Sequence, residues 1–298
     1  MTVREGQTFA GESRWITYAN FVKLPHTVFM LPFALVGATF ATYEAPVTAW
    51  KVLGIVVAFT AARFAAMGFN RVVDREIDAR NPRTARRELP RGAMTPTEAK
   101  VAVSLASVVF VIAAASLNPL CGFLSPLALA WVFFYSYTKR FTRLSHLALG
   151  LGMSIAPVGG YLAIAGHWSH PWWLLVALAI AVATWGGGFD ILYSLQDVAV
   201  DRAQRLYSVP AAMGEAGAVR VSRAMHVVTV LALVLLGVAS AAGWVYWAGV
   251  GTVSALLLYE HSLVSADDLS RLDAAFFTTN GIISILFFSF VFAERLSR

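Results

Sequence analysis

The stretch GFNRVVDREIDARNPRTARRELPRG, residues 68–92, places a polar cluster at the end of a long apolar segment. Asn70, Asp74 and Asp78 follow one another at intervals of four residues. In an α-helix this spacing brings the three side chains to one face, with neighbouring Cβ atoms about 6 Å apart. The stretch therefore predicts a helix that carries an oxygen-rich face near its carboxyl end.

The composition of the chain is that of a membrane protein. Of its 298 residues, 58% are hydrophobic and 13% are charged. This is more apolar surface than one soluble core buries, so lipid must surround much of it. The single cysteine, Cys121, excludes an intrachain disulfide. We expect one membrane-embedded domain that comprises residues 1–298.

Nine apolar segments are long enough to cross a bilayer as helices of about 20 residues. The sequence thus predicts an all-α polytopic protein with about nine transmembrane helices, eight being the alternative count. The segments are 21–43, 50–78, 97–116, 119–138, 146–165, 171–194, 216–241, 244–264 and 272–293.

The distribution of Lys and Arg predicts an orientation. With the N-terminus in the cytoplasm, loop 80–100, residues 139–143 and segment 202–223 all lie on the cytoplasmic side, and the other side keeps Lys51 and the C-terminal arginines. This agrees with the positive-inside rule. We expect a multi-pass protein of the cell (inner) membrane with its active site facing the cytoplasm. The net charge of +6 then reflects topology, and no nucleic-acid partner is expected.

The loop after the first cluster is rich in arginine. We interpret these side chains as orientation signals and loop contacts. They are Arg80, Arg83, Arg86, Arg87 and Arg91.

A second acidic cluster lies at the cytoplasmic end of the sixth predicted span, in FDILYSLQDVAVDRAQRLYSVP, residues 189–210. Asp197 and Asp201 are four residues apart, and Asp190 precedes Asp197 by two helical turns. The cluster is therefore expected at the same depth and side as the first one. The recurrence indicates a weak internal repeat, with two related helical bundles around a central cavity.

Carboxylates at the edge of a membrane are costly unless they are paired or bind a cation. Oxygen ligands at helical spacing suit Mg²⁺, which takes one or two carboxylates, several waters and phosphate oxygens. Two acidic faces with nearby Arg and Lys side chains are typical of a clamp in which Mg²⁺ neutralises a leaving diphosphate.

These features resemble the UbiA superfamily of intramembrane prenyltransferases. The two spaced clusters and the nine-span pattern carry the resemblance, which covers nearly the whole chain. Glu88 departs from the commonest loop pattern by replacing a proline. Four segments resemble the branch that prenylates 4-hydroxybenzoate or a related aromatic acid: KLPHTVFMLPFALVGA (23–38), NPRTARRELPRG (81–92), YSYTKRFTRLSHLALG (135–150) and YSLQDVAVD (193–201).

The resemblance implies a Mg²⁺-dependent transfer of a polyprenyl group from polyprenyl diphosphate to a ring carbon of an aromatic acid, on a pathway to ubiquinone. Catalytic roles fall to Asp74 and Asp197, and to Asp190 as a base for the acceptor. The implied metal ligands are Asn70, Asp74, Asp78, Asp197 and Asp201. The implied substrate-binding residues are Arg63, Asn70, Arg71, Lys139 and Arg140. Two further candidates are Tyr193, as an aromatic lining for the carbocation, and Asn280, as a lining of the prenyl channel. The oligomeric state is not predicted.

Two other interpretations of the sequence remain open. The acceptor is alternatively an amino-substituted benzoate or a dihydroxynaphthoate in menaquinone biosynthesis. A secondary transporter would also contain intramembrane acids and a repeat, but its polar sites are expected near the midplane on broken helices. Here the acidic clusters are predicted at one face of the membrane, which favours the enzyme.

Overall fold

The computed structural model describes residues 9, 11, 13–264, 269, 271–272 and 278–298. Every regular element in these ranges is helical, and none of the described residues forms a strand. The all-α prediction is therefore confirmed. The helices are α1 (Arg14–Phe21), α2 (Thr27–Ala41), α3 (Ala49–Val73), α4 (Arg75–Arg80), α5 (Pro96–Leu117), α6 (Pro119–Thr138), α7 (Ser145–Ala165), α8 (Trp173–Tyr193), α9 (Val198–Ala203), α10 (Val209–Ala239), α11 (Trp244–Leu263) and α12 (Asn280–Leu296).

The described part contains six helical segments that are long and apolar enough to cross a bilayer. They expose large hydrophobic side chains on their outer faces, including Ile112, Phe123 and Leu231. A multi-pass membrane protein is therefore confirmed, whereas the count of nine spans stays a prediction. The six segments are Ala49–Val73, Pro96–Leu117, Pro119–Thr138, Ser145–Ala165, Trp173–Ala203 and Val209–Ala239.

The helix predicted over residues 50–78 is interrupted at Asp74. The backbone of Asp74 leaves the helical region, with φ −91° and ψ 4°, so α3 ends at Val73 and α4 starts at Arg75. Two backbone hydrogen bonds cross the break, from Asp74 N to Asn70 O at 2.9 Å and from Asp78 N to Asp74 O at 2.7 Å. The chain therefore keeps its direction, but the expectation of one continuous helix is wrong.

The second cluster is also divided between short elements. A 3₁₀ turn, Ser194–Asp197, follows α8 and separates it from α9. Asp190 thus lies on α8, Asp197 ends the turn and Asp201 lies on α9. The expected helical face of three acids is wrong in this detail. The arrangement of α8 and α9 nevertheless repeats that of α3 and α4, as the internal repeat predicts.

Glycines allow the central helices to approach closely. A Cβ atom added at Gly160 of α7 would lie 2.0 Å from the carbonyl oxygen of Ala34 in α2. A Cβ atom at Gly150 of α7 would lie 1.9 Å from the carbonyl oxygen of Ala183 in α8. Small residues of this kind permit the tight backbone packing that holds membrane helices together. As a result α7 is fixed between α2 and α8.

Candidate active site

A chamber of about 760 Å³ runs through the helical bundle. Helices α2, α3 and α5–α8 line it, and Asn280 of α12 contributes to its wall. Along α3 the lining extends from Asn70 to Ile55, a length of ~22 Å at about 1.5 Å per residue. Most of the lining is apolar. Polar lining residues gather where α3, α6 and α8 end, which we call the polar end: Asn70, Arg71, Arg87, Tyr135, Asp190 and Tyr193.

Asp74 lies beside the polar end and is 2% exposed. Its carboxylate lies 2.5 Å from Lys139 Nζ and 2.9 Å from Arg140 Nη2. Asn70 donates a third contact through Nδ2, at 3.1 Å from Asp74 Oδ2. The structure thus brings together four of the predicted site residues, two from α3 and its break and two from the turn after α6.

Asp78 is held by the arginine-rich loop. The Arg87 Nη1 atom donates to both carboxylate oxygens of Asp78 at 2.8 Å. Arg87 also lines the chamber, although its position in the sequence predicts a loop contact. The sequence signal for this role is the number of arginines beside the acids. It is larger than membrane orientation alone requires.

Asp197 is held by the same loop from the other side of the chamber. Arg83 donates through Nε to Asp197 Oδ1 at 3.0 Å, and Asn81 donates through Nδ2 to the same oxygen at 2.8 Å. The guanidinium of Arg83 lies over the ring of Tyr193, 5.2 Å from its centroid, and donates to the Tyr193 hydroxyl. Asp201 lies one turn away and interacts with the Ser208 hydroxyl.

The charge of Arg83 is secured by these contacts. Burial lowers the pKa of its guanidinium, but the hydrogen bonds and charge of Asp197 and the nearby Asp78 outweigh this effect. The pKa of Arg83 therefore stands above its ordinary value. The loop keeps a permanent positive charge at the polar end.

Asp190 is paired with His146, a residue that the sequence pattern does not single out. His146 Nδ1 lies 2.6 Å from Asp190 Oδ2, and His146 Nε2 lies 3.4 Å from the Val209 backbone N–H, which donates to it. Because Nε2 accepts, the neutral ring carries its proton on Nδ1 and donates to the carboxylate. Asp190 therefore presents an oriented, hydrogen-bond-accepting carboxylate to the chamber.

The remaining predicted binding residues lie along the chamber wall. Arg63 donates through Nη1 to Val22 O at 3.0 Å, and Arg71 pairs with Glu88 at 3.2 Å. Arg71 and Glu88 are both buried. Neither Arg71 Nη2 nor Glu88 Oε1 has a hydrogen-bond partner within the described part of the chain. The role of Asn280 in binding substrate stays a prediction, because its amide contacts other protein side chains.

The donor set fits Mg²⁺ that arrives together with a phosphorylated ligand. No group of three or more His, Cys, Asp or Glu side chains forms a closed metal site among the residues that the structure describes. Mg²⁺ rarely requires such a cage, since it binds through one or two carboxylates, waters and substrate phosphates. Both clusters supply carboxylate oxygens of this kind at the polar end, and Asn70 adds an amide oxygen.

Comparison with known proteins decides the family. Residues 30–290 match the UbiA prenyltransferase family. The chain belongs to this family. It is therefore an enzyme of the prenyltransferase class, as the resemblance of its two acidic clusters implied.

Relatives of this UbiA prenyltransferase include two proteins named 4-hydroxybenzoate octaprenyltransferase. The one from Aromatoleum aromaticum is 28% identical over 229 residues, which cover 77% of this chain and 76% of the relative. The one from Aeromonas hydrophila is 27% identical over 238 residues, which cover 80% of this chain and 82% of the relative.

Two solved structures share the fold of this UbiA prenyltransferase. The apo UbiA homolog from Aeropyrum pernix K1 is 31% identical, with a TM-score of 0.83 and coverage of 91% of this chain and 98% of that one. The UbiA homolog from Archaeoglobus fulgidus bound to DMAPP and Mg²⁺ is 18% identical, with a TM-score of 0.72 and coverage of 95% and 100%. At this identity the second likeness shows the fold alone.

Proposed function

We propose that this chain transfers a polyprenyl group from polyprenyl diphosphate to the ring carbon beside the hydroxyl of 4-hydroxybenzoate or a closely related aromatic acid. One observation carries the proposal: two acidic clusters, each paired with basic side chains, flank the mouth of a long apolar chamber. The names of the relatives support the acceptor. The DMAPP and Mg²⁺ bound by the Archaeoglobus homolog support the donor and the metal.

The donor fits the chamber with its diphosphate at the polar end and its hydrocarbon tail among the apolar residues. Asn70, Asp74 and Asp78 would hold one Mg²⁺, and Asp197 and Asp201 a second. The bound ions would neutralise the charge that develops on the leaving diphosphate.

The basic partners of these acids have a second role in the proposal. Lys139, Arg140, Arg83 and Arg87 neutralise the carboxylates. Arg87 lines the chamber and the other three hold acids beside its polar end, so in the proposal these side chains bind phosphate oxygens when donor is present. A guanidinium binds two phosphate oxygens at once, which fixes the direction of the leaving group.

In the proposal the acceptor also binds at the polar end. Arg71 is buried and its Nη2 lacks a partner in the described part, so it suits the carboxylate of an aromatic acid. Asp190, oriented by His146, accepts the proton of the acceptor hydroxyl. The ring becomes more electron-rich as this proton leaves, and its ortho carbon attacks the allylic carbon from which diphosphate departs with the electron pair of the C–O bond. The hydrogen on that ring carbon then leaves as a proton and the phenol oxygen regains one, which restores the aromatic ring.

The location of the reaction is part of the proposal. The Lys and Arg residues of the loops support a cell (inner) membrane protein whose polar end faces the cytoplasm. The proposed product enters quinone biosynthesis, with ubiquinone as the expected end product.

Transfer of labelled geranyl and longer prenyl groups in membranes that contain this chain tests the proposal. We expect prenylated 4-hydroxybenzoate with Mg²⁺ and none with chelator. If product forms only from an aminobenzoate or from dihydroxynaphthoate, that compound becomes the proposed acceptor and the prenyl-transfer reaction stands. No product from any of these acceptors, with intact protein in the membrane, would contradict the proposed function.

A further inference from the structure

A buried polar network crosses α8, α11 and α12, and the proposed reaction does not use it. Trp185 of α8 donates through Nε1 to Asn280 Oδ1 at 2.8 Å. Asn280 in turn donates through Nδ2 to Glu260 Oε1 at 2.9 Å. The three residues are 1–2% exposed. A glutamate buried in an apolar helical bundle is costly, so its burial indicates a function.

The backbone of Trp185 is held by a second arm of the same network. His226 of α10 lies with Nε2 3.4 Å from the Trp185 carbonyl oxygen and with Nδ1 3.0 Å from His261 Nε2. The approach of His226 depends on Gly188, where an added Cβ atom would lie 2.4 Å from Nε2. Both the main chain and the indole of Trp185 are thus held by side chains of this network.

The indole of Trp185 forms part of the chamber wall. Its ring centroid lies 4.9 Å from that of Phe189, which also lines the chamber, and the two rings make an aromatic surface there. The Trp185 ring also packs against the buried Phe33, at a centroid distance of 4.7 Å. Phe189 is one helical turn from Trp185 and directly precedes Asp190. The aromatic surface therefore lies immediately below the polar end, where the reacting carbon of a prenyl donor belongs.

Asn280 links the Glu260 carboxylate to the Trp185 indole, and only one orientation of its amide group makes both hydrogen bonds. An amide group presents an oxygen on one side and an NH₂ on the other, and an unconstrained amide can flip. Because Glu260 accepts hydrogen bonds, it fixes the NH₂ towards itself and the oxygen towards the Trp185 N–H. A ring whose N–H is held in this way keeps one face towards the chamber.

We propose that Glu260 is a positioning residue that acts through Asn280 to hold the Trp185 indole against the allylic cation. This inference rests on the proposed function, since only ionisation of a prenyl diphosphate produces such a cation. When the C–O bond breaks, its electron pair leaves with the diphosphate and the prenyl carbon becomes positive. The face of an indole is the strongest aromatic site for a cation.

A double-mutant cycle tests this proposal by prenyl-transfer kinetics. Glu260→Leu is expected to lower kcat about tenfold and to leave the donor KM within about twofold, because the cation exists only in the transition state. In a Trp185→Phe background the same change is expected to cost less than about twofold. If Glu260→Leu lowers kcat by the same factor in the wild-type and Trp185→Phe backgrounds, the proposal is overturned.

Two further variants separate positioning from folding. Glu260→Gln keeps an oxygen that accepts from Asn280 and is expected to restore most of kcat. Glu294→Leu is the matched control, because Glu294 is a buried glutamate of α12 whose carboxylate accepts from Gly243 N at 2.7 Å, far along the helix from Asn280. Glu294→Leu is expected to change kcat by the same factor whether residue 185 is Trp or Phe. Should Glu260→Leu fail to fold, Asn280→Ala replaces it in the cycle.

A spectroscopic readout is independent of turnover. In protein labelled with 5-fluorotryptophan, the ¹⁹F resonance of Trp185 is identified by its loss in Trp185→Phe. We expect it to shift in Glu260→Leu and to stay near the wild-type position in Glu260→Gln and Glu294→Leu. An unmoved resonance in Glu260→Leu would overturn the positioning role. Absence of prenyl transfer by the wild type would overturn the proposed function instead.

Discussion

Arg83 and Asp197 form an ion pair across the polar end of the chamber, with Arg83 Nε 3.0 Å from Asp197 Oδ1. Arg83 belongs to the loop after α4, and Asp197 follows α8. The pair therefore connects the two related parts of the bundle at the mouth of the chamber. In the proposed reaction the diphosphate lies between these parts, so the pair is placed where the donor headgroup binds.

The Arg83→Ala change is expected to weaken binding of the donor headgroup. A charge-assisted hydrogen bond contributes about 1.5–3 kcal/mol, so we expect a loss of about ten- to a hundredfold in affinity for inorganic pyrophosphate in the presence of Mg²⁺. Arg86→Ala is the control, because Arg86 is exposed on the same loop. Equal pyrophosphate affinities in wild type and Arg83→Ala would show that Arg83 does not bind the headgroup, and its role would then be that of an orientation signal.

His146 and Asp190 are expected to act as one unit. Their side chains are 2.6 Å apart, and the histidine fixes the carboxylate that faces the chamber. We expect Asp190→Asn and His146→Ala each to lower kcat by about 10²-fold or more, and the double variant to lose little beyond the larger single effect. The exposed His167 provides the control as His167→Ala. Fully multiplicative losses would show that the two residues act separately.

Gly159 offers a way to shorten the chamber. It lies on α7 in the chamber wall, and an added Cβ atom would meet no atom within 4 Å. We expect Gly159→Phe to fill the apolar part of the chamber, so that transfer from a long polyprenyl diphosphate falls at least about tenfold relative to geranyl diphosphate. Gly251→Phe is the control, since Gly251 also has open space but is exposed on α11. If Gly159→Phe leaves the ratio of long-chain to geranyl transfer unchanged, the prenyl tail does not bind in this part of the chamber.

Gly160, next to Gly159, is tightly packed, whereas Gly159 faces open space. Its added Cβ atom would collide with the Ala34 carbonyl oxygen, and this backbone atom cannot move without separating α7 from α2. Gly160→Ala is therefore expected to destabilise the protein by about 1–3 kcal/mol, as overpacking does. Gly159→Ala should change stability by much less. Thermal unfolding in detergent measures both, and equal shifts would contradict the close packing of α2 and α7.

The two acidic clusters were the most predictable part of the candidate site, whereas their roles in binding metal and headgroup stay predictions. The intervals between Asn70, Asp74 and Asp78, and between Asp197 and Asp201, are visible in the sequence, and apolar length indicates the helices. The breaks at Asp74 and before α9 were not predictable, because helical spacing looks the same with or without a local break. At the first break, backbone hydrogen bonds from Asp74 N to Asn70 O and from Asp78 N to Asp74 O continue the i to i−4 pattern.

Long-range partners were the least predictable part. His146 is 44 residues from Asp190, and Arg83 is 114 residues from Asp197. Neither pair has a spacing that reveals contact, since packing of separate helices brings them together. The same holds for Trp185 and Asn280, which are 95 residues apart. Fold class and the chemistry of the acidic clusters follow from local pattern, whereas the pairing of side chains depends on tertiary structure.

The central claim is that the acidic clusters activate a prenyl diphosphate. Its most direct measurement is the joint release of diphosphate and formation of prenylated 4-hydroxybenzoate by the purified chain with Mg²⁺, in wild type, Asp74→Asn, Asp197→Asn and Glu76→Gln. Glu76 is an exposed acid of α4 and serves as the control.

We predict equal amounts of the two products in wild type and Glu76→Gln. In Asp74→Asn and Asp197→Asn we predict a loss of both products of about 10³-fold, with membrane insertion intact. Near-normal turnover in either aspartate variant would contradict the account.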